Sequence, residues 1–397
     1  MELPSYFSRF LTEIRLSGSQ IDDCRTGHKT LRTRLLDDDK LSKVIVNTFL
    51  QGSYRRATAV RPKGDSRADV DVIVVTKLHK DEFTPARALE QFVPFLDKHY
   101  KGKYKPQGRS FAIELTYVDL DVVPTAAPSE SEMGVLKDEA ISDDETPEGV
   151  TASRSLPWWL AENEGRTVQY SRAFAAKARQ DAAWKVEPLL IPDLDVQLWT
   201  PTHTLEQIRW TWQKNGACNG HYVNVVKAIK WWRRLNPEPK YPKGYPVEHL
   251  IGAHCPDGIK SVAEGVTLTL ENIVKAYSAY AQLKMTPSLP DHGVPEHNVL
   301  KRVSGEDFAA FYKMVTSAAT AAREALDATT VASSAKKWRD LFGNKFPDGG
   351  EDDGDGGAKR SGGSGGGTAE SAKSIPAAIA AARGSVEPPQ TRVGFGQ

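Results

Sequence analysis

Polar and apolar positions change rhythm along the chain, and the changes divide it into three stretches. Across residues 5 to 50 the apolar positions Leu11, Ile14, Leu16, Ile21, Leu31, Leu35, Leu36, Val44, Ile45 and Phe49 fall at partly helical spacing, which predicts a helical start. The rhythm then switches. Asp69-Val70-Asp71-Val72-Ile73-Val74-Val75 is a run of branched residues behind two acids, the pattern of a buried strand. A helix over about 86 to 100 follows, and then a second strand over 110 to 123, stopped by Pro124. Alternating elements of this kind suit a small mixed sheet backed by helices.

From Thr204 the pattern turns helical. Thr204 and Gln207 offer a capping box, Val223, Val226, Ile229 and Trp232 repeat every three or four residues, and 307 to 342 reads as a last helical stretch. Residues 138 to 149 are acidic, with Pro147 and Gly149, and read as a surface loop. After Phe346 the chain becomes Gly-Gly-Glu-Asp-Asp-Gly-Asp-Gly-Gly and then Ser-Gly-Gly-Ser-Gly-Gly-Gly, which cannot bury enough surface to offset its ordering entropy. The expected organisation is residues 1–200 as a sheet-containing lobe, 201–346 as a helical lobe, and 347–397 as a disordered Gly/Ser/Ala-rich tail. An Ala-rich piece at 375 to 383 is long enough only for a transient helix.

Composition narrows the function classes. A chain of 397 residues, 40% of them hydrophobic, can bury a sizeable core and form two lobes with a cleft. Its net charge of +1 lacks the basic surplus of a duplex-binding protein, so mononucleotides suit it better than a long nucleic acid. The three cysteines, Cys24, Cys218 and Cys255, are few and far apart. With no secretory signal and no apolar span, a reducing, cytoplasmic setting away from the membrane is expected. Cys218-x2-His221 with His249, His254 and Cys255 could supply soft metal ligands, but the spacing matches no zinc motif and the group reads as structural.

The chemistry concentrates in the sheet region. Residues two apart on a strand share a face, so Asp69 and Asp71 point the same way. Two such carboxylates repel and are costly to bury without a cation, and a hard ion such as Mg2+ is the natural partner for oxygen ligands beside substrate phosphates. Asp119 and Asp121 likewise share a face of the second strand. Either could complete a three-carboxylate site able to hold two Mg2+ ions, with Mn2+ as a substitute, clamping the two oxygens of an in-line displacement. Gly52-Ser53 adds a turn where backbone amides approach a phosphate closely and a hydroxyl donates. Each piece alone is ordinary turn or strand-end chemistry; their order and spacing make the combination specific.

These residues resemble the polymerase-beta superfamily of nucleotidyltransferases, and within it the cGAS/DncV-like enzymes (CD-NTases) of bacterial cyclic oligonucleotide signalling, with the 2'-5' oligoadenylate synthetases as relatives. By that resemblance Gly52-Ser53 would contact the triphosphate, Asp69 and Asp71 would be the metal pair, and Asp121 in Leu-Asp-Val-Val-Pro the third acid, with Asp119 in reserve. Ile191-Pro192-Asp193 with Trp199 and Pro201 looks like the passage into the helical lobe. Lys230-Trp231-Trp232 looks like the family's lysine-aromatic helix, whose lysine reaches phosphates, while Lys227 beside it reads equally as a solvated flank. Val294-Pro295-Glu296-His297-Asn298 with Phe308, Phe311 and Tyr312 resembles the closing loop and last helix. The resemblance covers roughly residues 1 to 342. It departs at Lys243-Gly244-Tyr245-Pro246-Val247-Glu248-His249-Leu250, where relatives often carry a serine, and the animal sensor's His-x5-Cys-Cys pattern is missing.

The resemblance implies an α+β fold, a polymerase-beta-like lobe with a long amino-terminal brace helix joined to a helical lobe, the active site lying in the cleft between. It further implies a cyclic di- or trinucleotide made from ATP, GTP or pyrimidine NTPs with release of pyrophosphate, in antiphage defence. Many bacterial relatives have a tail end conjugated by E1/E2-like machinery; this tail ends in Phe395-Gly396-Gln397 rather than glycine or alanine. Two rival readings share the same metal site: a linear transferase acting on RNA, a small molecule or a protein, and an inactive nucleotide-binding scaffold.

Overall fold

The computed structural model describes residues 1–127 and 188–350. Two helices open the chain where one helical stretch was expected. Helix α1 (Pro4–Ile14) ends at Arg15, and α2 (Gly18–Leu36) begins behind Ser17. The Ser17 hydroxyl accepts from the Gln20 amide at 3.2 Å while the Gln20 side chain accepts from the Ser17 amide at 2.9 Å. That reciprocal cap satisfies donors at a helix start, so the break is built into the sequence. After the one-turn α3 (Leu41–Val44) comes β1 (Ile45–Gln51), a strand that the helical reading of residues 5 to 50 missed. Its β-branched Ile45, Val46 and Thr48 suit a strand. What fixes it is antiparallel pairing with β2 (Asp69–Thr76), across the single-turn α4 (Gly52–Arg55).

Two further elements split. The helix expected over 86 to 100 is α5 (Pro85–Glu90) and α6 (Val93–Tyr100), because Pro94 cannot donate to the carbonyl four residues back and would clash with it. The strand expected over 110 to 123 is a hairpin. β3 (Tyr104–Pro106) pairs with β4 (Phe111–Glu114), and the chain turns where the Leu115 amide donates to the Val118 carbonyl at 3.0 Å. β5 (Asp119–Ala126) then runs antiparallel to β4 and parallel to β2. Asp119 and Asp121 therefore open a strand rather than end one, and Pro124 does not stop it. Pairing with β4 finishes at Val122, so a proline two residues later is tolerated.

The strand order is β1-β2-β5-β4-β3, and the hairpin of β6 (Leu189–Asp193) and β7 (Leu198–Thr202), which carries Ile191-Pro192-Asp193, joins β5 at Ala126. Buried Asp193 pairs with Arg109. The helical region follows as α7 (Thr204–Ala217), α8 (Tyr222–Leu235), α9 (Tyr245–His254), α10 (Val262–Gln282), α11 (Gly305–Asp327) and α12 (Val331–Phe342). The cap of α7 is His203, whose Nδ1 accepts from the Glu206 amide, in place of the expected Thr204 box. The last helical stretch divides at Thr330, which caps α12. The architecture is a mixed sheet with helices, as expected for the fold class.

Apolar side chains partition by period. Val70, Val72 and Val74 of β2 pack on one face of the sheet with Leu31 and Leu35 of α2 and Phe92, Phe95 and Leu96 around α6. Ile73 and Val75 pack on the other with Phe49, Val123, Leu205 and Ile208, beneath α7. A third cluster joins α1 to the helical region, with Phe7 and Phe10 against Trp338, Phe342 and Phe346. The acids at 69, 71 and 121 share the odd parity of Ile73, Val75 and Val123 and so belong to the α7 face of the sheet. The acidic segment at 138–149, the tail beyond 350, its Ala-rich piece and its terminus lie outside the described residues. Among the described residues no helix is long and apolar enough to cross a membrane.

Candidate active site

Parallel pairing of β2 with β5 sets the site. Its register puts Asp69 opposite Asp119 and Asp71 opposite Asp121. Oxygen atoms from Asp69, Asp71 and Asp121 all lie within 4.8 Å of one another, and among the described residues this is the only group of three such side chains able to hold a metal ion. Alternation alone left Asp119 and Asp121 equivalent. An ion pair separates them, because the Arg67 Nε donates to Asp119 Oδ1 at 2.7 Å and holds that carboxylate aside.

The three acids strain one another electrostatically. Lost hydration, then the charges of Asp71 and Asp121, push the Asp69 carboxyl up to about 8, although the residue stands at the exposed mouth of the cluster. Burial, then Asp71 and Asp119, push Asp121 up to about 7. Burial also raises Asp71, with Arg56 and Lys230 pulling it back. An all-oxygen donor set whose members resist ionising together fits a hard divalent cation, which would supply the missing positive charge.

Gly52 and Ser53 begin the turn between β1 and β2. Gly52 has φ +74°, and its alpha carbon stands over the Asp71 carboxylate. Ser53 is half-buried, and its carbonyl accepts from the Thr58 and Ala59 amides at 2.9 and 3.0 Å. The turn is thus a closed loop packed against one of the three acids.

Of the two lysines singled out on α8, Lys230 comes close to this turn. Its Nζ donates to the Thr58 carbonyl at 2.9 Å and to Glu248 Oε2 at 3.2 Å. Lys227 is only 1% exposed, so it is no solvated flank. Buried Lys227 corrects the picture of a solvated flank, because α8 is enclosed by α9, α10, α12 and α1, while the Lys230 side chain is 15% exposed.

Arg56, Thr58 and Glu248 escaped sequence reading. Arg56 Nε donates to Glu248 Oε1 at 2.7 Å, Thr58 Oγ1 donates to Glu248 Oε2 at 2.9 Å, and the guanidinium lies 5.3 Å over the Tyr245 ring. Burial alone would raise Glu248, but Arg56 and Lys230 outweigh it and hold the carboxyl down at about 2. The only sequence signal was that Glu248 occupies the segment that departs from the resembled pattern. Cys218 and Cys255 do meet, Sγ to Sγ at 4.0 Å, but no third soft ligand joins them among the described residues.

Comparison with known proteins places these observations. The profile of the Second Messenger Oligonucleotide or Dinucleotide Synthetase (SMODS) domain matches residues 1–139. A "Probable cyclic AMP-AMP-GMP nucleotide synthase" of Salmonella paratyphi B is 46% identical over 370 residues, spanning 91% of this chain and 96% of that protein. A "Cyclic AMP-AMP-GMP synthase" of Enterobacter hormaechei is 45% identical over 360 residues, spanning 87% and 92%. Among solved structures, Vibrio cholerae DncV cyclic AMP-GMP synthase with a linear intermediate superposes with TM-score 0.58 at 13% identity, covering 86% of this chain and 97% of that one.

Proposed function

The chain belongs to the cGAS/DncV-like nucleotidyltransferases (CD-NTases), enzymes that make cyclic oligonucleotide second messengers from NTPs, and we propose that its product is a cyclic trinucleotide of two AMP units and one GMP unit. The observation that carries the assignment of the site is the cluster of Asp69, Asp71 and Asp121 with Asp119 held off by Arg67. We assign to those three acids the binding of two Mg2+ ions, with Mn2+ as a substitute. Bound there, the cations would neutralise the triphosphate and favour ionisation of the attacking ribose hydroxyl.

The chain's own residues position the rest. The Gly52-Ser53 turn would receive the triphosphate through its amides and the Ser53 hydroxyl. Lys230 would offset phosphate charge from α8, and Lys227, deep in the same helix, would act on nucleotide only through the packing of α8. A ribose hydroxyl oxygen bonds to the α-phosphorus of the next NTP as the bond to pyrophosphate breaks, and the hydroxyl proton passes to solvent. Repetition lengthens the chain, and a final intramolecular attack closes the ring. Positioning and charge neutralisation supply the catalysis, as in phosphoryl transfer generally.

The lobes we assign are residues 1–200 for catalysis and 201–346 for the helical part, with NTPs entering between them; distinct sheet and helical cores support two lobes, although α1 packs into the helical core and Leu205 and Ile208 of α7 pack on the sheet. A cytoplasmic role in antiphage defence, and E1/E2-like conjugation or another operon-encoded regulator acting on the tail, complete the proposal. The Gly-rich sequence after Phe346 supports access of another enzyme to the terminus.

The test is incubation of the protein, beside an Asp69→Ala/Asp71→Ala variant, with four labelled NTPs and Mg2+ or Mn2+, then phosphatase and mass spectrometry. A phosphatase-resistant AMP-AMP-GMP ring made only by the unaltered protein is expected. Phosphatase-sensitive oligomers would move the assignment to a linear transferase, and nucleotide binding without pyrophosphate release to a scaffold.

A further inference from the structure

Glu248 is a buried carboxylate that the reaction itself does not use. It stands in the first turn of α9 and is 4% exposed. Three donors from outside its helix converge on it: Arg56 and Thr58 from the segment after α4, and Lys230 from α8. Thr58 also bonds the Ser53 carbonyl through its amide, and Lys230 bonds the Thr58 carbonyl. Every path from the Gly52-Ser53 turn to Lys230 in this network therefore passes through Glu248 or Thr58.

The turn that this network holds is also the one on which Asp71 packs, because the Gly52 alpha carbon stands over the Asp71 carboxylate. Loosening the network would therefore disturb a metal-binding carboxylate together with the phosphate-binding turn.

We infer that Glu248 is a positioning residue: it holds Arg56, Thr58 and Lys230 as one unit and so fixes from below the phosphate-binding turn on which Asp71 packs. The inference deepens the proposed triphosphate site and rests on that reading. Removing the charge while keeping the shape, Glu248→Gln, loosens the turn and with it the seat of Asp71.

The experiment compares the unaltered protein with Glu248→Gln, Glu248→Asp, Thr58→Val and Asp71→Asn. It measures Mn2+ binding by the electron paramagnetic resonance of free Mn2+, ATP binding by equilibrium dialysis with Mn2+, cyclic-product kinetics, and folding by circular dichroism. Glu248→Gln is expected to fold and to weaken both Mn2+ and ATP binding by about tenfold or more, the loss of a charge-assisted contact. Glu248→Asp is expected to restore part of that affinity. Unchanged Mn2+ and ATP affinity in a folded Glu248→Gln protein would overturn the inference. So would a loss of activity that follows only the loss of folded protein. If Glu248→Gln does not fold, Thr58→Val decides: ATP binding weakened about threefold or more supports the tie, and native affinity refutes it. Asp71→Asn separates the two levels. Product formation by that variant would overturn the site reading itself, whereas its inactivity beside native binding in Glu248→Gln would overturn only the role of Glu248.

Discussion

A β-carbon on Gly52 would stand 1.7 Å from Oδ2 of Asp71. The turn and the carboxylate are thus in direct contact, and only a residue without a side chain leaves Asp71 free to face Asp69 and Asp121. The backbone reinforces the requirement, since φ at Gly52 is +74°, where other residues are strained. Gly52→Ala is therefore expected to displace Asp71 or open the turn. Synthesis of the cyclic product should fall by about a hundredfold or more, the scale of a misplaced reacting group. Circular dichroism should remain native, because the change sits at the sheet's edge. Near-native kcat/KM in this variant would mean that the turn does not constrain Asp71.

Asp119 and Asp121 should behave differently on removal. Asp121 belongs to the cluster, so Asp121→Asn is expected to cost several kcal/mol of transition-state stabilisation, about a thousandfold in kcat/KM. Asp119 is engaged with Arg67 in a pair about a third exposed on each side. Such pairs contribute only about 0.2–1 kcal/mol, so Asp119→Asn should retain activity within about fivefold. Initial rates of pyrophosphate release measure both, and a reversed ranking would put Asp119 in the site.

Period-2 alternation made Asp69 and Asp71 readable, because a branched strand leaves acids at its mouth no other common face. The same rule could not choose between Asp119 and Asp121, since the choice depends on Arg67, fifty-two positions from Asp119. Strand β1 was hidden because Val44, Ile45 and Phe49 also satisfy helical spacing, and only pairing with β2 decides. The turn between β4 and β5 carries no glycine or proline, so Ser110 to Val123 read as one strand. Glu248 was illegible for a related reason. Its partners at positions 56, 58 and 230 are distant in sequence, and no local pattern marks a buried carboxylate as satisfied.

Removing divalent cations should abolish synthesis, and Mg2+ or Mn2+ should restore it. A cation that binds the folded cluster also stabilises the fold by mass action, because the unfolded chain does not hold three carboxylates together. At a concentration a hundred times the dissociation constant the gain is about 2.7 kcal/mol. Thermal unfolding should therefore shift upward with added Mn2+ in the native protein. The shift should vanish in an Asp69→Asn/Asp71→Asn variant. An equal shift in both proteins would place the stabilising cation elsewhere.

Glu248 also sets an acid limit to stability. Its folded-state pKa is about 2, below the 4.5 of an ordinary glutamate, because Arg56 and Lys230 outweigh the cost of burial. A carboxyl depressed on folding contributes stability that is complete above its unfolded pKa and is lost as the pH falls through the folded one. The shift corresponds to about 3 kcal/mol at neutral pH, of which about 2 kcal/mol is gone by pH 3. Urea unfolding of the native protein at intervals from pH 6 to pH 3 should show midpoints falling steeply below pH 4.5. Glu248→Gln cannot take up a proton there, so it should start less stable and fall more gently over the same interval. Parallel pH profiles for the two proteins would mean that acid destabilisation arises at other carboxylates and that Glu248 is not ionised between Arg56 and Lys230.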